Sequence, residues 1–182
     1  MDSGAENYRR FLDGDNDALC EIIRDYKDGL ILYLNTFVKN ITVAEELCED
    51  TFVRLGVKRP RYSGKASYKT WLYTIARNIA IDHLRRAARN RTVPIDECAE
   101  LTDEECSLEE SYIREEKRIA VHRTMARLKA EHRQVLWLVY FEEMSAKEAA
   151  VVMKKSVHAT EMLIHRAKQA LKRELEKEGV TI

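Results

Sequence analysis

Hydrophobic residues recur with a helical period along most of the chain, and one stretch separates its two faces most sharply. Between Ser67 and Arg91, at about 100° per residue, Tyr68, Leu72, Ile75, Ala76, Ile79, Ala80 and Leu84 fall on one stripe. Thr74, Asn78, Asp82, Arg85 and Arg89 fall opposite, and the whole stretch reads as one long helix. Trp71 lies with the polar set. An indole there has no partner on its own helix. It is either a stacking platform for a flat ligand, a nucleic-acid base above all, or it is covered by a neighbouring helix.

The same reading runs through the rest of the chain. Tyr8, Phe11 and Leu12 predict a short first helix, stopped by Asp13-Gly14-Asp15. Asp15 or Asn16 caps a second, with Ala18, Leu19, Ile22, Ile23, Tyr26, Leu30, Leu34, Phe37 and Val38 inward. Thr42 and Glu45 have capping-box spacing and open a third. Its buried side is Leu47, Thr51, Phe52 and Leu55. Its outer side is Glu45, Glu46, Glu49 and Asp50, and Gly56 and Pro60 end it.

After Arg91 the pattern changes. Pro94 to Ser111 contains no basic residue and little periodicity, which predicts a mobile linker. Ser107 and Glu110 start a further helix through Ile113, Ala120, Val121, Met125 and Leu128. Val135 to Phe141 belongs to a helix buried on most sides. Ser145 and Glu148 then form another capping box, with Ala149, Ala150, Val152 and Met153 inward. Lys154-Lys155-Ser156 is a tight turn, and a longer helix packs through Thr160, Leu163, Ile164, Ala167 and Leu171. A short helix, a three-residue turn and a longer helix make a helix-turn-helix, although any antiparallel helical hairpin leaves the same trace. The expected fold is all-α: two small helical domains, residues 1–91 and 111–182, joined by an acidic flexible linker at 92–110.

Composition supports that fold. Among 182 residues there are only six Gly and two Pro, so little interrupts helix formation. No stretch is apolar for long enough to span a bilayer and no signal-like start is visible, so the chain is expected in the cytoplasm without membrane insertion. The four cysteines (Cys20, Cys48, Cys98 and Cys106) form no CxxC or CxxxC, which argues against structural zinc. A reduced cytosol argues against disulfides. Cys20 and Cys48 are expected in the core, and Cys98 and Cys106 in the exposed linker. No metal or other cofactor is expected.

Charge changes the picture more. The chain is neutral overall, but in blocks. Residues 1–53 carry twelve acids and five bases, net −7, and residues 54–91 carry eleven bases and one acid, net +10. Residues 92–118 return to −7 and residues 119–182 to +4. Two polyanion-binding segments separated by acidic ones are the simplest reading.

These features meet in two strings. AEELCEDTFVRL followed by SYKTWLYTIARNIAIDHLRR resembles the second conserved region of bacterial RNA polymerase sigma factors. TMARLKAEHRQVLWLVYFEEMSAKEAAVVMKKSVHATEMLIHRAKQAL is similar to their fourth region, and the size resembles the extracytoplasmic-function (ECF) group. The resemblance implies a function: binding core RNA polymerase, then recognising and melting promoter DNA. It implies that Glu45, Glu46, Leu47, Glu49, Asp50 and Phe52 engage the polymerase. Lys65, Lys69, Thr70, Trp71, Arg77, Asn78, Asp82, Arg85 and Arg86 would read and open the minus-ten element. The helix from Ser156 to Lys168, with Lys154 and Lys155 before it, would read the minus-thirty-five element. The acidic linker would thread through the polymerase towards its active centre. Members of this group are often held by an anti-sigma protein.

The chain departs from the family pattern in places. Lys154 stands where the turn usually has Gly, Gly56 where a Trp is common, and Leu128-Lys129 replaces a usual Leu-Pro. A run usually like T-V-K-S-R is here Ala159, Thr160, Glu161, Met162 and Leu163. An acid can accept from cytosine N4 but repels phosphate. Minus-thirty-five contacts are therefore expected from Lys154, Lys155, Ser156, His158, Glu161, Met162, His165, Arg166 and Lys168, with weaker or altered specificity. Two other classes compete. A helix-turn-helix regulator would bind duplex operator without polymerase, usually as a dimer. An enzyme would need chemistry that Asp82-His83 does not supply, since adjacent helical residues point apart and no HExxH or P-loop occurs.

Overall fold

The computed structural model describes residues 2–90 and 124–177, and among them every regular element is helical. Helix α1 spans Ser3–Leu12 and α2 Asn16–Val38. Helix α3 spans Ile41–Lys58 and α4 Tyr68–Asn90. These four make an N-terminal lobe in which α2 packs on α1, α3 and α4. Its interior is filled by Tyr8, Ile22, Leu30, Tyr33, Leu34, Leu55, Tyr68 and Leu72, all fully buried.

Each helix start in this lobe has a side-chain acceptor for its orphan N–H groups. Asp2 accepts from Ala5 N, Asp15 from Asp17 N and Asn40 from Val43 N. The third cap corrects the expected Thr42 start: Asn40 is at least as good a cap and comes two residues earlier, so α3 begins at Ile41. Gly56 does not end α3 either. It sits inside the helix beside Leu19, and the chain turns at Arg59, which adopts a left-handed φ of 44° ahead of Pro60.

The C-terminal lobe opens, among the described residues, with a helical turn at 124–127, followed by α5 (Ala130–Leu136). Helix α5 runs on into a π-helical turn, Trp137–Phe141, closed by a hydrogen bond from Glu142 N to Trp137 O. The widened turn buries Trp137 and Leu138 but leaves Tyr140 and Phe141 partly in solvent, so that segment is less enclosed than its apolar run predicts. Helix α6 (Ala146–Met153) starts with the predicted capping box, Ser145 and Glu148 satisfying each other's backbone N–H groups. Lys154 closes it in the left-handed region at φ 54°. Ser156 then caps α7 (Val157–Lys177) by accepting from Ala159 N. The predicted helix-turn-helix is thus formed by α6 and α7.

Two core assignments fail for geometric reasons. Cys20 is exposed because it lies about 200° around α2 from Ala18. Leu84 is exposed because α4 outruns the bundle; Ala80 is its last buried residue, and Leu84 sits about 6 Å further along the axis. The expected linker, its capping box Ser107/Glu110, Cys98 and Cys106 lie outside the described residues.

Candidate nucleic-acid interface

Helix α4 is positioned from outside itself. Ser67 accepts from Thr70 N, and Asp2, 66 residues earlier, accepts from Tyr68 N at 2.6 Å. Asp2 thereby caps two helices at once and ties the start of the chain to the start of α4. Trp71 stands one turn further along, half-buried among three tyrosines. Its ring centroid lies 5.1 Å from Tyr8, 5.2 Å from Tyr62 and 5.4 Å from Tyr68. Tilted aromatic contacts of this kind contribute about 0.5–1.5 kcal/mol each beyond area burial. Tyr8 and Tyr62 are themselves fixed, donating to Pro60 O at 2.7 Å and Ala66 O at 2.6 Å. Burial pushes the Tyr8 phenol up to about 12, with the Arg59 charge opposing it, so it stays a neutral donor. Residues from other elements do cover part of the indole; the rest reaches solvent.

The other residues proposed for one minus-ten surface divide between two environments. Lys65, Asp82, Arg85 and Arg86 are exposed, and Asp82 lies 3.8 Å from Arg85. Asn78 is half-buried on the Trp71 side, two turns on. Thr70 is fully buried against the C-terminal lobe. Lys69 is tied to Glu142, and Arg77 keeps its Nε buried without a hydrogen-bond partner beneath the lobe junction. The geometry therefore joins Trp71, Asn78, Asp82 and Arg85 on one face and turns Lys69 and Thr70 to another.

On α3, Glu45, Glu46, Glu49 and Asp50 are exposed, whereas Leu47 and Phe52 are buried. Val53 and Val57 follow on the outer side at 59% and 72% exposure. An acidic face running into an apolar ridge is the kind of surface another protein covers. Leu47 and Phe52 hold that face up from beneath.

On α7, His158, Glu161, Met162, His165, Arg166 and Lys168 are exposed together with Lys154. Two of the expected cations have protein partners: Lys155 pairs with Glu131 at 3.1 Å, and Lys168 lies over the Tyr140 ring at 5.2 Å. Ser156 is used as the cap. The free edge of the helix is thus His158, Glu161, Met162 and His165, spaced along one face. No group of three His, Cys, Asp or Glu among the described residues is placed to hold a metal ion. No described helix is long and apolar enough to cross a membrane.

Comparison with known proteins agrees with this geometry. The family description "Sigma-70 region 2" matches residues 22–90, and "Sigma-70, region 4" matches residues 118–171. The RNA polymerase sigma factor YlaC of Bacillus subtilis is 30% identical over 162 residues, covering 88% of this chain and 94% of the relative. The ECF RNA polymerase sigma factor SigW of the same organism is 25% identical over 170 residues, covering 89% and 91%. Among solved structures, CnrH in complex with the cytosolic domain of CnrY shares the fold with a TM-score of 0.69 at 24% identity, over 97% of this chain and 99% of that one. The sigma factor RpoE in complex with the anti-sigma factor NepR, from Bartonella quintana, shares it with a TM-score of 0.69 at 20% identity, over 86% and 95%. The chain belongs to the sigma-70 family of RNA polymerase sigma factors, in its ECF group, and directs transcription initiation. Sigma factors are DNA-binding initiation factors rather than enzymes.

The sequence pattern missed Asp2, Tyr8 and Tyr62 around Trp71, and Arg133 and Glu142 at the lobe junction. Glu148 was legible as a cap but not as an acceptor for Ser67 and Thr70, at 3.1 and 3.4 Å. None of these pairings lies within helical spacing, so no periodicity could reveal them.

Proposed function

We propose that the chain divides its work between two promoter-binding halves. Residues 1–91 engage core RNA polymerase and the minus-ten element, residues 111–182 engage the minus-thirty-five element, and residues 92–110 connect them through the polymerase. The observation that carries this is the outer face of α4: a half-exposed Trp71 followed by Asn78, Asp82 and a run of exposed arginines. The arginines hold phosphates by a salt-dependent, sequence-independent grip. Trp71 stacks at the edge of the opened duplex, where base stacking contributes about 1–3 kcal/mol. Asn78 and Asp82 hydrogen-bond an unstacked base, offsetting the few kcal/mol that unstacking costs.

The acidic side of α3, with Val53 and Val57, supports a polymerase-docking role for Glu45, Glu46, Glu49 and Asp50. The α7 edge supports duplex reading by His158, Glu161, Met162 and His165, with Lys154 and Arg166 on phosphates. Two similar sigma factors were solved with CnrY and with the anti-sigma factor NepR. By that likeness this chain is held by an anti-sigma protein in the cytoplasm. Polymerase supplies all catalysis, so the chain alone turns nothing over.

Gel filtration with bacterial core polymerase at moderate salt tests the reading, with stable co-elution as the expected result. A chain that runs alone, as a dimer, and binds duplex DNA by itself would be a regulator of another kind. Trp71→Ala is expected to spare co-elution and lower open-complex formation. Equal loss of both would make Trp71 a packing residue only.

A further inference from the structure

Helix α1 lies ahead of residue 22, where the sigma-70 match begins, yet it supplies one wall of the Trp71 setting. The connection starts at Asp2. One of its carboxylate oxygens accepts from Ala5 N at 3.3 Å and the other from Tyr68 N at 2.6 Å, so a single planar group spans the starts of α1 and α4. A carboxylate is favoured at both, because N–H groups without helical partners gather positive potential there. Gly4 lets the two helices meet. A Cβ there would run into the Tyr68 ring and come within 2.6 Å of the Tyr26 hydroxyl, so the α1 backbone lies directly against the first residue of α4.

One turn further along α1, Tyr8 is fully buried. Its ring stands 5.6 Å from Tyr68 and 5.1 Å from Trp71, and its hydroxyl donates to Pro60 O. Phe11 holds the Arg59 guanidinium 5.0 Å from its ring centroid. The segment between α3 and α4 is thus fastened to α1 where it begins, and Tyr62 ties its far end by donating to Ala66 O. Trp71 is wedged between a ring from α1 and a ring from that segment, each tilted 54° to the indole. A tryptophan free to change rotamer must be ordered when a base stacks on it, which lowers affinity by a factor of about two to ten. An indole held by neighbours from two other elements loses that freedom on folding instead.

We propose that Asp2 is a positioning residue for promoter opening: by joining α1 to the start of α4, it holds Trp71 in the orientation that stacks on a base. The proposal rests on the reading of Trp71 as the stacking platform. Asp2 touches no base itself. It acts through Tyr68, Tyr8 and the indole.

Asp2→Ser separates this role from ordinary capping. Serine is as good an N-cap for α1 as aspartate, but it offers one oxygen where two are used. The variants are made in the full chain and compared well below their melting transitions. Iodide quenching of the free chain reads the Trp71 indole, because Trp137 is only 6% exposed. Permanganate reactivity of unpaired thymines reads opening by the holoenzyme, on a promoter mapped with the wild type. Asp2→Ser is expected to leave co-elution with core polymerase unchanged, to raise quenching, and to lower opening about threefold. In a Trp71→Ala background the same change should lower opening no further.

If Trp71→Ala alone leaves opening intact, the stacking reading fails and the positioning role falls with it. If Trp71→Ala lowers opening but Asp2→Ser does not, or does so equally in both backgrounds or without a change in quenching, positioning alone is overturned and the promoter reading stands. Should Asp2→Ser lose its cooperative melt, Tyr8→Phe decides, because it keeps the ring and removes only the bond to Pro60 O. It is then expected to raise quenching and lower opening, and a wild-type value in either overturns the proposal.

Discussion

Helices α4 and α7 are similar in length and both carry candidate DNA contacts, but they are built in opposite ways. Helix α4 is capped by Asp2, flanked by Tyr8 and Tyr62, and pressed on by α6. Helix α7 is capped by its own turn at Ser156 and leaves His158, Glu161, Met162 and His165 in solvent. In α4 recognition and folding share residues. In α7 they are separated, so the reading edge can change without disturbing the lobe beneath. The longest departure from the family pattern, Ala159 to Leu163, falls on α7, as that difference would lead one to expect.

The largest effect expected from this comparison is on α4. Leu72 is fully buried, so Leu72→Ala should cost about 2–5 kcal/mol in urea denaturation. A cost near zero would mean that α4 is not anchored as described. The next effect is on affinity. Glu161→Lys on the free edge of α7 should tighten duplex binding about tenfold at low salt and steepen the salt dependence by about one ion. Unchanged affinity in a filter-binding assay would show that Glu161 does not face DNA.

Smaller still is the cap that links the two helices. Ser145→Ala should cost about 1 kcal/mol in thermal or urea unfolding. Hydrogen bonds from the Ser145 hydroxyl and backbone N–H hold the Glu148 carboxyl below its ordinary value near 4.5. That contribution is complete above the unfolded value of about 4.5 and disappears as pH falls through the lower folded value. The stability gap between wild type and Glu148→Gln should therefore be constant at neutral pH and close below pH about 4.5. A gap that widens on acidification would reverse the sign assigned here. Least of all, Met162→Ala on the α7 edge should change stability by no more than about 0.5 kcal/mol. A larger loss would mean that α7, like α4, uses its reading residues for packing.

How much of this was legible in the sequence follows the same division. Helix periodicity placed α1, α2, α4, α6 and α7, because each buries a regular stripe against a neighbour. It located the Ser145–Glu148 box because that signal is local. It misjudged Cys20 and Leu84 because a stripe says nothing about where the covering helix ends. It misjudged Thr42 and Gly56 because two caps competed at one helix start and because a single glycine costs a helix only about 1 kcal/mol and need not end it. Asp2 on Tyr68 and Arg133 on Thr36 span 66 and 97 residues. Such pairings are decided by how finished helices dock, and they carry no spacing signature. The candidate promoter residues came from a string resemblance, and the resemblance did not foresee that Lys69 and Thr70 would be occupied.

Arg133 donates to the Thr36 carbonyl near the end of α2 from 97 residues away, and that distance has a consequence in time. Synthesis runs at about 5–20 residues per second, so the 97 residues separating Thr36 from Arg133 take about 5–20 s to make. During that interval the N-terminal half stands on its own core, with the last carbonyls of α2 in water. Ribosome-stalled chains that end before Arg133 should accordingly show faster hydrogen exchange in the last turn of α2 than the finished chain. Equal exchange in the two would show that the end of α2 needs nothing from the other lobe. A newborn molecule would carry an unfinished helix end until the residue that completes it is made.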